Sequence, residues 1–237
     1  MNKQLKAKVY SVYSDTMFKF YKELGWFFDP ITGTFYIDEF KVSCRPDAEY
    51  YDHLVFRPYL SVKNKTITGV LNQIFPDSPI YNVVGRGQSK ELANIMGIQW
   101  ESKYVDENDN YRYDIYEDTD LAPIVADHRL YMERVGVPFF DSFSSLEKVD
   151  TFINLKILKM TFKEFRENIN EPIEEKKWLN FYNVTGANYG LVSAFLTKNL
   201  NKMELVKRYT LLYSVYPVIE DFEKLIVYLE TNYLREI

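Results

Sequence analysis

The sequence has 237 residues, enough for one large domain or two small ones that bury roughly 70–75% of the unfolded surface. Its 46% apolar and 27% charged residues are ordinary for a globular protein, and a formal charge of −5 argues against nucleic acid as a partner. A single cysteine, Cys44, excludes an intramolecular disulfide and a multi-cysteine zinc site, and two histidines, His53 and His128, thin the catalytic and metal inventory.

The leading segment MNKQLKAKVYSVYSD has lysines but no apolar run behind them, so no secretory signal is expected. No stretch approaches the ~20 apolar residues of a membrane span. Both features predict a cytoplasmic protein with no membrane partner. Residues 3–25 read as an amphipathic helix, with Leu5, Val9, Val12, Thr16, Phe20 and Leu24 at helical spacing and Tyr13, Met17 and Tyr21 widening the stripe. Gly25 is placed to end it. Asp29-Pro30 with Gly33 is turn chemistry.

The stretch from Thr34 to Lys63 carries the clearest strand signal. Phe40, Val42 and Cys44 alternate with Lys41, Ser43 and Arg45. Leu54, Phe56, Leu60 and Val62 then share one face, with Val55, Arg57, Tyr59 and Ser61 on the other. Pro58 predicts an edge position or a bulge in that second run, because proline cannot donate to a ladder.

Lys65–Phe75 reads as a short helix with Ile67, Val70, Leu71 and Ile74 on one side, closed by Pro76 and Pro79. Ser89 caps a helix through Met96, ended by Gly97. Alternation over Ile98–Tyr104 and Tyr111–Ile115, separated by the polar run Asp106–Asn110, predicts a hairpin. The sheet should then have four or five strands, mostly antiparallel. From Asp120 the period turns helical. Leu121, Ile124, Val125, His128, Met132 and Val135 share a face, and Gly136 and Pro138 should stop that helix. Ser144-x-x-Glu147 and Thr161-x-x-Glu164 read as capping boxes. Pro172 opens a further helix, and 187–200, 202–216 and 218–234 complete a helical tail that Pro217 splits.

Phe20–Gly25, the strands of Thr34–Val62 and the segment GVPFFDSFSSLE (Gly136–Glu147) share a layout: a helix ending near a glycine, a strand meander, then a helix leading into a G-x-P-F-F…S-L-E segment. In this the first 155 or so residues resemble a bacterial group of domains of unknown function. The resemblance implies an α+β fold and adds nothing about activity or site residues. The helical tail lies outside it.

Several groups invite a chemical reading. The run Val83–Ser89, with Gly85-Arg86-Gly87 before a helix start, has the outline of an anion-binding loop. It lacks the third glycine of a dinucleotide fingerprint and the Gly-Lys-Ser/Thr of a P-loop, so an ordinary connection is favoured. Asp127-His128-Arg129 holds an acid, a base and a cation, but consecutive helical residues point about 100° apart, and His128 lies on the apolar stripe. Cys44 and His53 could face each other across a hairpin as a nucleophile and base, although a small buried hydrophobe is the favoured reading of Cys44. Asp106, Glu107 and Asp109 lack the spacing of a calcium loop. Arg45, Arg57 and Tyr59 fall on the wet side of neighbouring strands, a combination enriched at protein interfaces.

The sequence thus predicts an α+β protein: a small, mainly antiparallel sheet packed by an N-terminal helix, with a C-terminal helical lobe. Residues 1–157 form the α+β part and 158–237 the lobe, packed as one unit. The expected function is non-catalytic binding of another protein, in an immunity-like or regulatory role, by an aromatic sheet face or groove through Arg45 and Tyr59. The alternative is an enzyme or binding protein for a small anionic or nucleotide-like ligand held by Arg57, Arg86 and His53. No catalytic residue, metal or cofactor is assigned.

Overall fold

The computed structural model describes residues 3–29, 34–38, 40–43, 46–50, 52–56, 59–77, 90–104, 112–170, 184–214 and 219–233. The fold is α+β, and by its contacts the chain forms two compact units, residues 1–62 with 85–140 and residues 63–84 with 141–237.

The first unit is built on α1 (Lys3–Glu23). The helix ends as its glycine dictates: Gly25 takes φ +78, where a side chain would be strained, and the Trp26 N–H donates back to the Tyr21 carbonyl at 2.9 Å. The buried face is Tyr13, Met17, Phe20 and Tyr21, whereas Val12 and Leu24 are exposed. The stripe is therefore rotated from the expected Val12–Thr16–Leu24 line toward the aromatic side. Rings win that position because each removes more apolar area from water than an aliphatic side chain.

Four strands, β1 (Phe27–Asp29), β2 (Thr34–Ile37), β3 (Phe40–Ser43) and β6 (Tyr59–Val62), form one antiparallel sheet in the order β1-β2-β3-β6. Its register sets Phe35 opposite Val42 and Val42 opposite Leu60, all buried. The alternate row sets Phe27 opposite Tyr36 and Tyr36 opposite Lys41. There Phe27 is 63% exposed beside Tyr36, with ring centroids 5.7 Å apart. Tyr21 of α1 stacks on Phe35 at 4.4 Å.

A second antiparallel sheet consists of β4 (Pro46–Glu49), β5 (Leu54–Phe56) and β7 (Tyr113–Ile115) in the order β4-β5-β7. The long run expected over Leu54–Val62 is thus divided between two sheets, and β6 lies at the edge of the first. Pro58 itself falls outside the described residues. Leu54, Val55 and Phe56 are all buried, so Val55 is not on a wet face as its alternation predicts. Midway along its length α1 covers β5, with Tyr13 against Phe56 at 4.0 Å.

The hairpin expected between 98–104 and 111–115 is corrected. The Arg112 N–H donates to the Tyr104 carbonyl at 2.8 Å, but residues 98–102 are not a strand, and β7 pairs with β5. Trp100 is instead buried edge-on against Tyr131, 5.3 Å away. α3 (Lys90–Ile95) precedes this segment.

α4 (Ala122–Tyr131) begins where Asp120 Oδ1 accepts from the Ala122 N–H at 3.0 Å. The expected stop at Gly136 and Pro138 does not occur. A π-turn over Met132–Gly136 leads straight into α5 (Val137–Asp141). Pro138 has no N–H to donate and its ring collides with the carbonyl four residues back in a regular helix, a conflict that the wider turn removes.

The second unit is helical: α2 (Lys65–Ile74), α6 (Leu146–Lys159), α7 (Phe162–Asn170), α8 (Val184–Leu196), α9 (Lys202–Tyr213) and α10 (Ile219–Tyr233). α8 is its axis, buried at every position from 186 to 195. The Asn154 amide of α6 donates to the Gly190 carbonyl at 2.8 Å, and the Tyr209 hydroxyl of α9 donates to Asn154 Oδ1 at 2.6 Å. A Cβ on Gly190 would lie 2.6 Å from that same Oδ1 and 2.9 Å from Ile153, so only glycine admits this approach. Tyr213 bonds Asn188, and the Tyr189 hydroxyl lies 3.0 Å from Thr68 Oγ1 of α2. Arg208 donates to the carbonyls of Ile157 and Met160 at the end of α6, satisfying acceptors that the helix leaves open.

The Thr161–Glu164 capping box is present in both directions, 2.6 and 3.2 Å. The box expected at Ser144 is displaced by one residue: Ser145 Oγ accepts from the Lys148 N–H, and Ser144 donates to the Asp141 carbonyl. The helix expected from Pro172 lies outside the described residues.

Candidate functional site

The end of the three-stranded sheet gathers side chains that the core does not need. Register fixes their order. Glu49 pairs with Leu54 and Leu54 with Ile115, so one step beyond the ladder Tyr50, His53 and Tyr116 stand in a row across three strands. The Tyr50 N–H donates to the His53 carbonyl at 2.9 Å, which closes the connection between β4 and β5.

The imidazole of His53 is held between the two rings, 4.7 Å from Tyr50 at 9° and 4.8 Å from Tyr116 at 31°. Offset stacking of this kind adds about 0.5–1.5 kcal/mol per pair beyond the area it buries. The histidine side chain is 13% exposed, whereas Tyr50 and Tyr116 remain 47% and 42% exposed.

Carboxylates flank the imidazole. His53 Nδ1 lies 2.7 Å from Asp52 Oδ1, and this bond holds the Asp52 carboxyl below its ordinary range. With Nδ1 tied to Asp52, Nε2 is the ring nitrogen left for any other contact. Nε2 is closed to solvent, makes no hydrogen bond among the described residues, and faces Asp114 Oδ1 at 3.8 Å. Asp114 is itself held by Arg112 Nε at 2.8 Å. A general base must reach the proton that it takes. Here the nitrogen that would act as base is covered, so the cluster orients two tyrosines and does not offer a catalytic dyad.

Of the residues singled out from sequence, His53 is therefore placed in full. Tyr59 pairs through its backbone with Ser43 at the start of β6, and its side chain is outside the described residues. Arg45, Arg57 and Arg86 also lie outside them, as do Cys44, the acidic run 106–109 and the glycine loop 83–89. The convergence of His53 with Arg57 and Arg86 falls outside the description.

Asp127, His128 and Arg129 diverge as their helical spacing predicts. Asp127 accepts from Ser102 Oγ at 2.7 Å and from the Tyr113 hydroxyl at 3.4 Å, and burial raises its carboxyl above the ordinary range. His128 is fully buried with Nε2 2.6 Å from the Tyr21 hydroxyl, and burial pushes it down to about 3. Arg129 bonds Glu23 at 2.6 Å.

Tyr116, Asp114 and Arg112 escape the sequence reading because Tyr113–Ile115 pairs with β5 and not with residues 98–104, and Tyr50 because it reaches His53 through the β4–β5 pairing. Pairing Tyr113–Ile115 with Leu54–Phe56 places His53 beside Tyr116 at once. A wide hollow of about 410 Å³ opens at the start of α6, lined by Asp141, Glu147 and Phe152 among others and crossed by the Lys148–Asp141 ion pair of 2.7 Å. Among the described residues, no group of three or more His, Cys, Asp or Glu could hold a metal ion, and no helix is long and apolar enough to cross a membrane. No family model, curated protein or solved structure matches the chain.

Proposed function

We propose that this is a non-catalytic protein that binds another protein through the Tyr50–His53–Tyr116 surface, in an immunity-like or regulatory role in the cytoplasm. The observation that carries the reading is the state of the histidine. Its Nε2 is closed off from solvent, while the two tyrosines that it props remain about half exposed. Rigid aromatic rings with little rotamer freedom to lose are the usual anchors of protein interfaces. Asp52 and Asp114 on either side of His53 make the spot unfavourable for a small anion and favourable for a cationic surface.

The test is affinity capture with the full chain and with the Tyr50→Ala/Tyr116→Ala double variant, bound proteins being identified by mass spectrometry. A defined partner of basic pI, retained by the wild type and lost by a folded double variant, is the expected result. Equal retention by both proteins would overturn the reading.

A further inference from the structure

Tyr116 serves two surfaces. One side of its ring meets His53, and the same residue lines a groove between α1 and the turn that follows β7. The groove is walled by Val12, Ile115, Tyr116 and Leu121, with Lys8 and Glu117 at its rim, 3.9 Å apart. Val12 is 49% exposed there, an apolar side chain on the helix that buries Tyr13, Met17, Phe20 and Tyr21.

The space is small, about 50 Å³. One water needs ~10–15 Å³ of such space, so the groove takes three or four heavy atoms, the size of a branched aliphatic side chain and too small for an aromatic ring.

Its surroundings carry the other half of the argument. The turn that closes the groove is Glu117-Asp118-Thr119-Asp120, with all three carboxylates exposed, and Asp52 and Asp114 lie on the adjoining Tyr116–His53 side. Against these five acids stand Lys8, bridged to Glu117, and Arg112, bridged to Asp114. Among these described residues the surplus is negative, and it borders an apolar slot.

We infer that the groove receives a basic segment of another protein carrying one branched aliphatic side chain, which enters between Val12 and Leu121 while neighbouring lysines or arginines meet Asp118, Asp120 and Asp52. This rests on the protein-binding reading above and names the chemistry of the partner. Affinity comes from the aliphatic group and the tyrosines, and the carboxylates supply orientation and speed of encounter.

A phage-displayed library of random dodecapeptides, panned on the immobilised full chain, tests it. Enriched peptides should share a Leu, Ile, Val or Met within three residues of two or more Lys or Arg. A synthetic consensus peptide should bind the Val12→Phe variant, whose groove is filled without a change of charge, at least about tenfold more weakly. Asp118→Asn should weaken it less and reduce its salt dependence. Enrichment of acidic or purely aromatic peptides, no enrichment, or equal binding to Val12→Phe would each overturn the inference. If binding survives Val12→Phe but is lost on Tyr50→Ala, the aromatic surface stands and only the groove assignment fails.

Discussion

The two histidines occupy opposite kinds of site. His128 is sealed in the core beneath α1, its Nε2 against the Tyr21 hydroxyl, and burial holds the ring neutral. His53 stands at a sheet end between two half-exposed tyrosines, with a carboxylate on each side. The same residue type thus serves packing in one region and presents a surface in the other. What separates them is whether the neighbours are used up. Around His128 the rings of Phe20, Tyr21 and Tyr113 all face inward, whereas around His53 Tyr50 and Tyr116 remain about half exposed.

The helical unit extends the comparison, since its polar groups close on one another. Gly190→Ala should have the largest effect of all. The new Cβ would press on Asn154, Ile153 and the Tyr209 hydroxyl together, so overpacking and a broken buried bond should cost ~3 kcal/mol or more, read as a fall in the urea midpoint. A variant of wild-type stability would mean that α8 is not the tightly packed axis described.

The His128 side of the comparison is tested by pH. Below about pH 6.5 the unfolded chain binds a proton that the folded ring refuses until about pH 3, so stability is lost as pH falls through that window. The loss from this group should reach ~2.5 kcal/mol by pH 4.5. Asp127, raised by burial, works in the opposite sense, and the lowered carboxyls of Asp141 and Glu164 lose stability on acidification in any variant. Comparing wild type with His128→Gln removes those shared contributions. The stability gap between the two should narrow by about that amount from pH 7 to 4.5. A gap independent of pH would contradict a neutral buried ring.

Tyr209→Phe comes next. It strands Asn154 Oδ1 in the core and should cost ~1–2 kcal/mol. Tyr50→Ala should be smallest in stability, ~0.5–1 kcal/mol from one lost stacking contact, although it should be large in binding.

Much of the architecture was legible because its signals are local. The α1 stop at Gly25, the Thr161–Glu164 box, the short helix from Lys65 and the α+β class follow from residues within a few positions of each other. The candidate site was less so. His53 stood out by rarity, but its meaning depends on Tyr116, 63 positions away by residue number, and that pairing arises from a strand partnership with no local signature. Two β-rich runs near each other look like a hairpin, and only burial of Val55 and Ile115 decides for β5 against residues 98–102. The π-turn at Met132–Gly136 was hidden for a related reason: Gly and Pro read as a stop unless the following Phe139 and Phe140 are known to be buried.

The measurement that bears most directly on the central claim is a calorimetric titration of the partner recovered by capture into wild type and into the folded Tyr50→Ala/Tyr116→Ala variant. If these tyrosines anchor the interface, the double variant should bind at least about a hundredfold more weakly. Dissociation constants within about threefold of each other would contradict the account and return the Tyr50–His53–Tyr116 row to a purely structural role.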